Sequence, residues 1–355
     1  MIAQPKIGLA CHSLRLDGGM GRYSLAVVKG LNELGIKPVV FTKKINKQDA
    51  GQLKFKLELI NCRFLPTKIR DHYYNYNIIT NNRAKKYSFD AIISCNRYPN
   101  ASIIVCGGTH KGYLSAINKQ PSFFDKLMIR QETVTYQNSQ LVIAHSEIMA
   151  REVENFYSIE KNKIHTIYPP FDTKKFNADA LSQDEILNIR AQFNIPEKNI
   201  VFLLLSAGNH FFKGLDIATN FFNETDLPIT LLVAGRHISS SKNVIYIGFR
   251  KDIEKIYKVV DYTISASRYE PFGMVAIESI LSGTPVVLSN RVGANELILP
   301  DAKNIFDPFD SNSLHKAILT AIANKRRLIN PIQYISQHDN ELQHVSKILH
   351  AASLL

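Results

Sequence analysis

At 355 residues, with 45% apolar and 21% charged side chains, the chain has room for two domains that each bury a core, and its composition is that of a globular protein. No apolar run approaches the ~18 residues of a membrane-spanning helix, "IGLACHSLRL" meets His and Arg too early for a signal-peptide core, and Cys11, Cys62, Cys95 and Cys106 share no CxxC spacing, which excludes an evident zinc site or redox pair. The net charge of +12 is one-sided: residues 1–170 hold 24 lysines and arginines against 12 acids, while residues 171–355 hold 19 of each, so an anionic partner is expected of the first half, whether nucleic acid, acidic membrane or phosphorylated substrate.

In chain order, "KIGLA" is a short strand and "HSLRLDGGMG" a loop. "RYSLAVVKGLNELG" follows as a helix, with Val27, Val28, Leu31 and Leu34 at helical spacing and Gly35 at its C-terminal cap. "KPVVFT" completes a βαβ unit. "FDAIIS", "ASIIVCGG" and "SQLVIAHS" are further strands, apolar throughout as in a parallel sheet covered on both faces. Tyr168, Pro169 and Pro170 then fall in an unstructured stretch, "IHTIYPPFDTKKF", that reads as a hinge.

The alternation restarts beyond it. Strands are expected in "NIVFLLLSAG", "PITLLVAG", "NVIYIGF", "DYTISAS" and "TPVVLSN", and helices in "GLDIATNFFNE", "KDIEKIYKVV", "PFGMVAIESILSG" and "SNSLHKAILTAIANK". The fold class is α/β, with doubly wound, Rossmann-like domains over residues 1–168 and 169–330 facing each other across a cleft. Residues 331–355 form a C-terminal helix, free to pack on either domain, with Val345, Ile348 and Leu349 as its apolar positions. Ligands of such sheets bind outside the carboxyl ends of the strands.

The loops at those ends carry the candidate chemistry. Gly18 and Gly19 precede a helix, where backbone N–H groups favour a phosphate, although such a turn is as often only a turn. A dinucleotide enzyme needs an acid at the end of the second strand; here that strand ends in Lys43 and Lys44, which disfavours NAD. Lys213 stands before a helix with Gly214, suited to neutralising a diphosphate. Pro271 fits the first helical position, leaving N–H groups at Phe272, Gly273, Met274 and Val275 for an anion. Glu278 lies one turn beyond Met274, and with Glu270 it can accept bonds from sugar or ribose hydroxyls. The bland alternative makes Glu270 a helix cap and pairs Glu278 with a core arginine.

The segment from Glu270 to Val287 resembles, without a gap, the signature E-P-F-G-x-x-x-x-E-x-x-x-x-G-x-P-V-V of the retaining glycosyltransferases of the GT-B fold, the family 4 type. The glycine loop, "GGTHKGY", the Lys213-Gly214 pair, "VAGR" and "GFRKDIEKIYKVVDYTISASRYEPFG" follow in the same order, so the resemblance covers roughly residues 5–325. It implies an acceptor-binding first domain and a nucleotide-sugar-binding second one. In its terms Lys213, Glu270 and His110 are catalytic: Lys213 stabilises the leaving diphosphate, Glu270 holds the sugar and His110 contacts it near the reacting carbon. Glu278 binds the ribose, Phe249 and Arg250 meet the base, and Gly18, Gly19, Gly208, Asn209, Gly235, Arg236 and the backbone of Phe272, Gly273, Met274 and Val275 border the donor. Transfer proceeds with retention, and no Asp-x-Asp metal motif or cofactor is expected. The chain departs from the family at Asn209, His210, Phe211 and Phe212, where a second basic residue is usual; Arg268 or Arg236 is then the candidate second cation.

"GGMGRY", "CNRYPNAS" and "YPP" look like the bacterial lipopolysaccharide core glucosyltransferases. That branch implies a UDP-glucose-like donor, an anionic glycolipid acceptor, no nucleic acid, and a cytoplasmic protein peripheral to the inner membrane. Within the basic half, "KGYLSAINKQPSFFDKLMIRQ" mixes Lys111, Lys119, Lys126 and Arg130 with aromatic residues, as at a membrane interface; with Arg22 these form the expected membrane and acceptor contacts. The same stretch also reads as a packed helix with a solvated face. Rival functions are transfer to another surface glycan, a non-catalytic GT-B subunit and, for the basic half, a nucleic-acid-binding protein with strongly salt-dependent binding.

Overall fold

The computed structural model describes residues 4–16, 18–62, 64–66, 70, 73–75 and 85–355. The chain divides into two compact units, one formed by Met1–Pro170 with Asp339–Leu355 and the other by Phe171–His338.

The first unit opens with β1 (Ile7–Leu14), α1 (Gly19–Glu33), β2 (Val39–Ile45), α2 (Lys47–Ala50) and β3 (Lys56–Leu59). It continues through β4 (Ala91–Ser94), β5 (Ile103–Cys106), α3 (His110–Ala116), α4 (Phe123–Asn138), β6 (Leu141–Ala144), α5 (Glu147–Tyr157) and β7 (Ile164–Thr166). The strands pair in parallel in the order β3-β2-β1-β4-β5-β6-β7, so the winding reverses between β1 and β4. β5 and β6 are buried at every position, the reason they read as unbroken apolar runs. β1 runs on through His12, Ser13 and Leu14, which the sequence places in a loop, and α1 begins at Gly19 behind an N-cap at Gly18. Residues 164–166, expected to be unstructured, form the edge strand β7, held by Ile167 N–H bonding Ala144 O at 3.0 Å.

A last helix, α11 (Glu341–Ala351), packs on α1 in this unit. Val345, Ile348 and Leu349 are fully buried in its core. The approach is close enough that a Cβ on Gly30 would stand 2.2 Å from the Glu341 carbonyl oxygen. Tyr23 Oη meets His344 Nε2 at 2.8 Å, and His344 Nδ1 bonds Tyr168 O at 2.9 Å. Residues 331–338, expected in the terminal helix, instead belong to the second unit: Leu299 N–H bonds Tyr334 O at 2.8 Å and Ile298 bridges Ile335. All four cysteines are free and buried.

The second unit contains α6 (Gln183–Gln192), β8 (Ile200–Ser206), α7 (Leu215–Glu224), β9 (Ile229–Gly235), β10 (Val244–Tyr246) and α8 (Ile253–Val259). After them come β11 (Tyr262–Ser265), α9 (Met274–Leu281), β12 (Val286–Ser289), β13 (Lys303–Phe306) and α10 (Ser311–Ala323). Its parallel sheet has the order β10-β9-β8-β11-β12-β13, reversing between β8 and β11. Among the described residues no helix is long and apolar enough to cross a membrane.

Candidate active site

In the second unit the loops leaving β8 and β11, on either side of the reversal point, carry the central residues. After β8, Ser206 Oγ lies 2.6 Å from His210 Nδ1, and Asn209 Oδ1 accepts the N–H groups of Phe211 (3.0 Å) and Phe212 (3.4 Å). This side-chain-closed turn delivers Lys213. Gly214 follows in the left-handed region (φ +64°) as the N-cap of α7, where a Cβ would stand 1.9 Å from the Ala266 carbonyl oxygen. Only glycine lets the two loops come so close. From the loop after β11, the Glu270 carboxylate pairs with the Lys213 ammonium. The space left between Lys213, Glu270 and Gly273 is about 10 Å³, room for roughly one water, so an anion arriving there competes with Glu270 for the lysine.

α9 begins at Met274, not at Pro271 as the sequence suggests. Glu270 bridges Val292, its N–H bonding Arg291 O (3.2 Å) and its carbonyl accepting from Gly293 N–H (3.0 Å), while Phe272 O accepts from Ala294 N–H (2.7 Å). These bonds keep the chain extended through Phe272, and Gly273 (φ +98°) turns it into the helix. Met274 and Val275 therefore supply first-turn N–H groups without intrahelical partners. Glu278, 6% exposed, accepts a hydrogen bond from the Tyr257 hydroxyl at 3.1 Å. The acid in this apolar helix meets a phenol on α8, and the bond offsets part of the cost of burying it.

Around this centre, Arg236 Nη1 bonds Gly208 O at 3.3 Å. Gly235 (φ +130°) is locked between Gly248 O and the Tyr246 hydroxyl. Phe249 is 74% exposed, whereas Arg250 is held by Asp252 at 2.9 and 2.6 Å and lies over Phe193. Arg268 is not a free second cation. Its guanidinium forks onto Asp216 (2.7 Å to each oxygen), bonds Phe211 O at 2.7 Å and lies over the Phe211 ring, 4.1 Å from its centroid.

In the first unit, a cavity of about 390 Å³ lies at the β1/β4 reversal, lined by residues that include Gly18, Gly19, Asn96, Arg97 and Glu132. A Cβ at Gly18 or Gly19 would meet nothing within 4 Å, leaving the start of α1 approachable. Arg97 reaches Glu132 Oε1 through Nε (2.7 Å) and Nη2 (2.6 Å). Glu132, 1% exposed, also accepts from the His110 N–H (2.8 Å) and from the Tyr157 hydroxyl. His110 itself is not among the lining residues. Its Nε2 lies 2.9 Å from Asp125 Oδ1 and its ring stacks on Tyr113. The Ser122 hydroxyl and backbone, then His110, hold the Asp125 carboxyl well below the usual range.

The basic and aromatic stretch is two helices, α3 and α4, parted by a turn at Asn118 (φ +49°). Phe123 (71%), Phe124 (49%) and Leu127 (37%) are exposed, together with Lys126 and Arg130. Lys119 is also exposed and lies 3.3 Å from Asp125. Lys111 does not join this face, because its ammonium bonds Phe156 O and lies 4.9 Å from the Tyr157 ring centroid. Arg22 is exposed and bonds Leu16 O at 3.2 Å.

Tyr257, Asp216 and Glu132 were not legible as site residues. Glu132 could have been found by the reasoning that isolates Glu278, since it too is an acid on a helix flank that packs inward. Asp216 reads as an ordinary acid in a helix's first turn.

Residues 17–175 match the model of Glycosyltransferase Family 4 and residues 185–338 that of Glycosyl transferases group 1. A probable transglycosylase of Burkholderia thailandensis is 35% identical over 322 residues, covering 90% of this chain and 87% of that protein. Mannosylfructose-phosphate synthase of Agrobacterium fabrum is 28% identical over 229 residues, 57% of this chain and 49% of the synthase. Among solved structures, WaaG, a glycosyltransferase involved in lipopolysaccharide biosynthesis, aligns with a TM-score of 0.74 at 15% identity, over 98% of this chain and 95% of WaaG. Anabaena HepE in complex with UDP and glucose aligns with a TM-score of 0.77 at 18% identity, over 99% of this chain and all of HepE. The fold is thus that of the GT-B enzymes. The chain belongs to glycosyltransferase family 4 and is a glycosyltransferase.

Proposed function

We propose that the protein transfers a hexose, with retention and without a metal, from a nucleoside-diphosphate sugar to a lipopolysaccharide or lipooligosaccharide core acceptor, with UDP-glucose the favoured donor. The observation that carries this reading is the meeting of Lys213 and Glu270 at the β8/β11 reversal point, beside a helix start opened by Gly273. Lys213 and the first-turn N–H groups of α9 place positive charge where a diphosphate leaves, and this electrostatic term carries most of the rate. The diphosphate draws Lys213 from Glu270, freeing that carboxylate for the sugar hydroxyls. Glu278, oriented by Tyr257, takes the ribose. The anomeric C–O bond to the diphosphate breaks as the acceptor hydroxyl attacks from the same face, its proton passing to the departing diphosphate oxygen, which retains the configuration.

The acceptor site belongs to the first unit. Its exposed Phe123, Phe124 and Leu127 beside Lys126 and Arg130 suit the interface of an anionic membrane, which supports a reading of the enzyme as peripheral to the cytoplasmic face of the inner membrane. The direct test is thermal unfolding with UDP, GDP, ADP, CDP and NAD in parallel. A ligand at ~100 times its dissociation constant stabilises by about 2.7 kcal/mol. A shift with UDP that survives EDTA and disappears in Lys213→Ala supports the reading; no shift with any nucleoside diphosphate overturns it. Transfer from UDP-glucose to a deacylated core oligosaccharide then decides the acceptor, and transfer only to a capsular or O-antigen acceptor would refute that part.

A further inference from the structure

The loop of Asn209–Gly214 holds the lysine assigned to the leaving group, yet it has phenylalanines where a second cation is expected. Arg268 explains what they do. Its backbone N–H bonds Phe212 O at 2.9 Å, and Nη1 bonds Phe211 O at 2.7 Å. The guanidinium carbon lies over the Phe211 ring, 4.1 Å from its centroid, and both ends of its fork are taken by Asp216 on α7 at 2.7 Å. One residue from the loop after β11 thus holds the chain on both sides of Lys213, at Phe211 and Phe212 before it and at Asp216 on α7 after it. The grip falls where Gly214 lets that loop touch Ala266.

We propose that Arg268 is a positioning residue. With Asp216 and Phe211 it forms a clamp that fixes the Lys213 loop against the Glu270 loop, so that the lysine meets the diphosphate in one geometry. The inference rests on the donor reading above. It replaces the idea of Arg268 as a second diphosphate cation with a geometric role that acts through Lys213. The guanidinium suits this role and an ammonium does not, because the planar fork matches the carboxylate in two bonds while its cation sits over the ring.

The two roles predict opposite signs. If Arg268 binds the diphosphate by charge, Asp216→Ala frees it and UDP binds more tightly, and Arg268→Lys keeps the affinity. If Arg268 positions Lys213, Asp216→Ala weakens UDP binding although it removes a negative charge from the site, and Arg268→Lys weakens it as much as Arg268→Ala. The expected loss is about tenfold in each, equivalent to ~1.4 kcal/mol. The Asp216→Ala/Arg268→Ala double variant is no weaker than Arg268→Ala, since both remove one clamp.

Calorimetric titration with UDP measures the affinities, and hydrogen exchange of Phe212, Lys213 and Gly214 reports the loop without any ligand. Faster exchange confined to that loop, together with weaker UDP binding in Arg268→Lys and Asp216→Ala, is the expected result. Tighter binding in Asp216→Ala, or unchanged exchange and affinity in Arg268→Lys, overturns the clamp while leaving the donor reading intact. Failure of the unaltered protein to bind UDP, GDP or ADP overturns the donor reading instead, and this role for Arg268 with it.

Discussion

Replacing Gly214 by alanine tests how the two loops of the second unit are brought together. Gly214 has φ +64°, and an alanine in the left-handed region costs about 1–2 kcal/mol. Its Cβ would also lie 1.9 Å from Ala266 O, 2.5 Å from Ala266 C and 2.9 Å from Ala266 Cβ. Two of these atoms are backbone, so the clash is relieved only by moving a loop, and overpacking of this kind costs about 1–3 kcal/mol. Allowing partial relaxation, the total is about 2–4 kcal/mol, or a fall in melting temperature of roughly 5–10 °C for a unit of this size. The moving loop carries Lys213, and a displacement of about 1 Å in a reacting geometry can cost ~100-fold in rate. Gly214→Ala is therefore expected to melt lower and to lose most of its stabilisation by UDP, measured by scanning calorimetry with and without the nucleotide. A variant that melts with the unaltered protein, or melts lower yet keeps the full UDP shift, refutes the reasoning.

Glu278→Gln retains an acceptor for the Tyr257 hydroxyl and should fold normally while losing the UDP shift, whereas Glu278→Ala leaves the buried phenol without this acceptor and costs about 1–3 kcal/mol as well; a full shift in the Gln variant removes Glu278 from the site. Burial pushes His344 down to about 4 and His145, which also feels His344, to about 3. Unfolded histidine takes its proton near about 6.5, so neither residue alters stability above that pH, and each removes about 1.4 kcal/mol per pH unit as the pH falls from there toward the folded values. Urea midpoints at pH 7, 6 and 5 should drop accordingly, and pH-independent midpoints over that window would contradict the burial argument. Arg97→Ala leaves Glu132 buried without its cation, a loss of about 3–5 kcal/mol; adding Glu132→Leu should restore much of it, and strictly additive losses would show that the pair is not coupled.

The alternation of strands and helices was legible because central strands buried on both faces must be apolar throughout, as in β5, β6 and β9. The edge strands β3 (KLEL), β7 (IHT) and β13 (KNIF) were not, because solvent along an edge permits Lys, Glu, His and Asn. The start of α9 was misplaced for a different reason. Proline at the first helical position is a local preference, and it yielded to the pairing of Glu270 with Val292, a residue 22 positions away.

The sequence alone determined the two-unit α/β architecture, the glycines that turn the loops and the Glu270-to-Glu278 spacing, since these follow from local periodicity, backbone sterics and a contiguous motif. Only the tertiary structure decided who meets whom: Lys213 with Glu270, Glu278 with Tyr257, Arg268 with Asp216, and α11 with α1. Each of these partners lies on a different element, and nothing in either residue's neighbourhood along the chain specifies the other. Their meeting is fixed by strand order and by the close approaches that Gly214 and Gly30 permit.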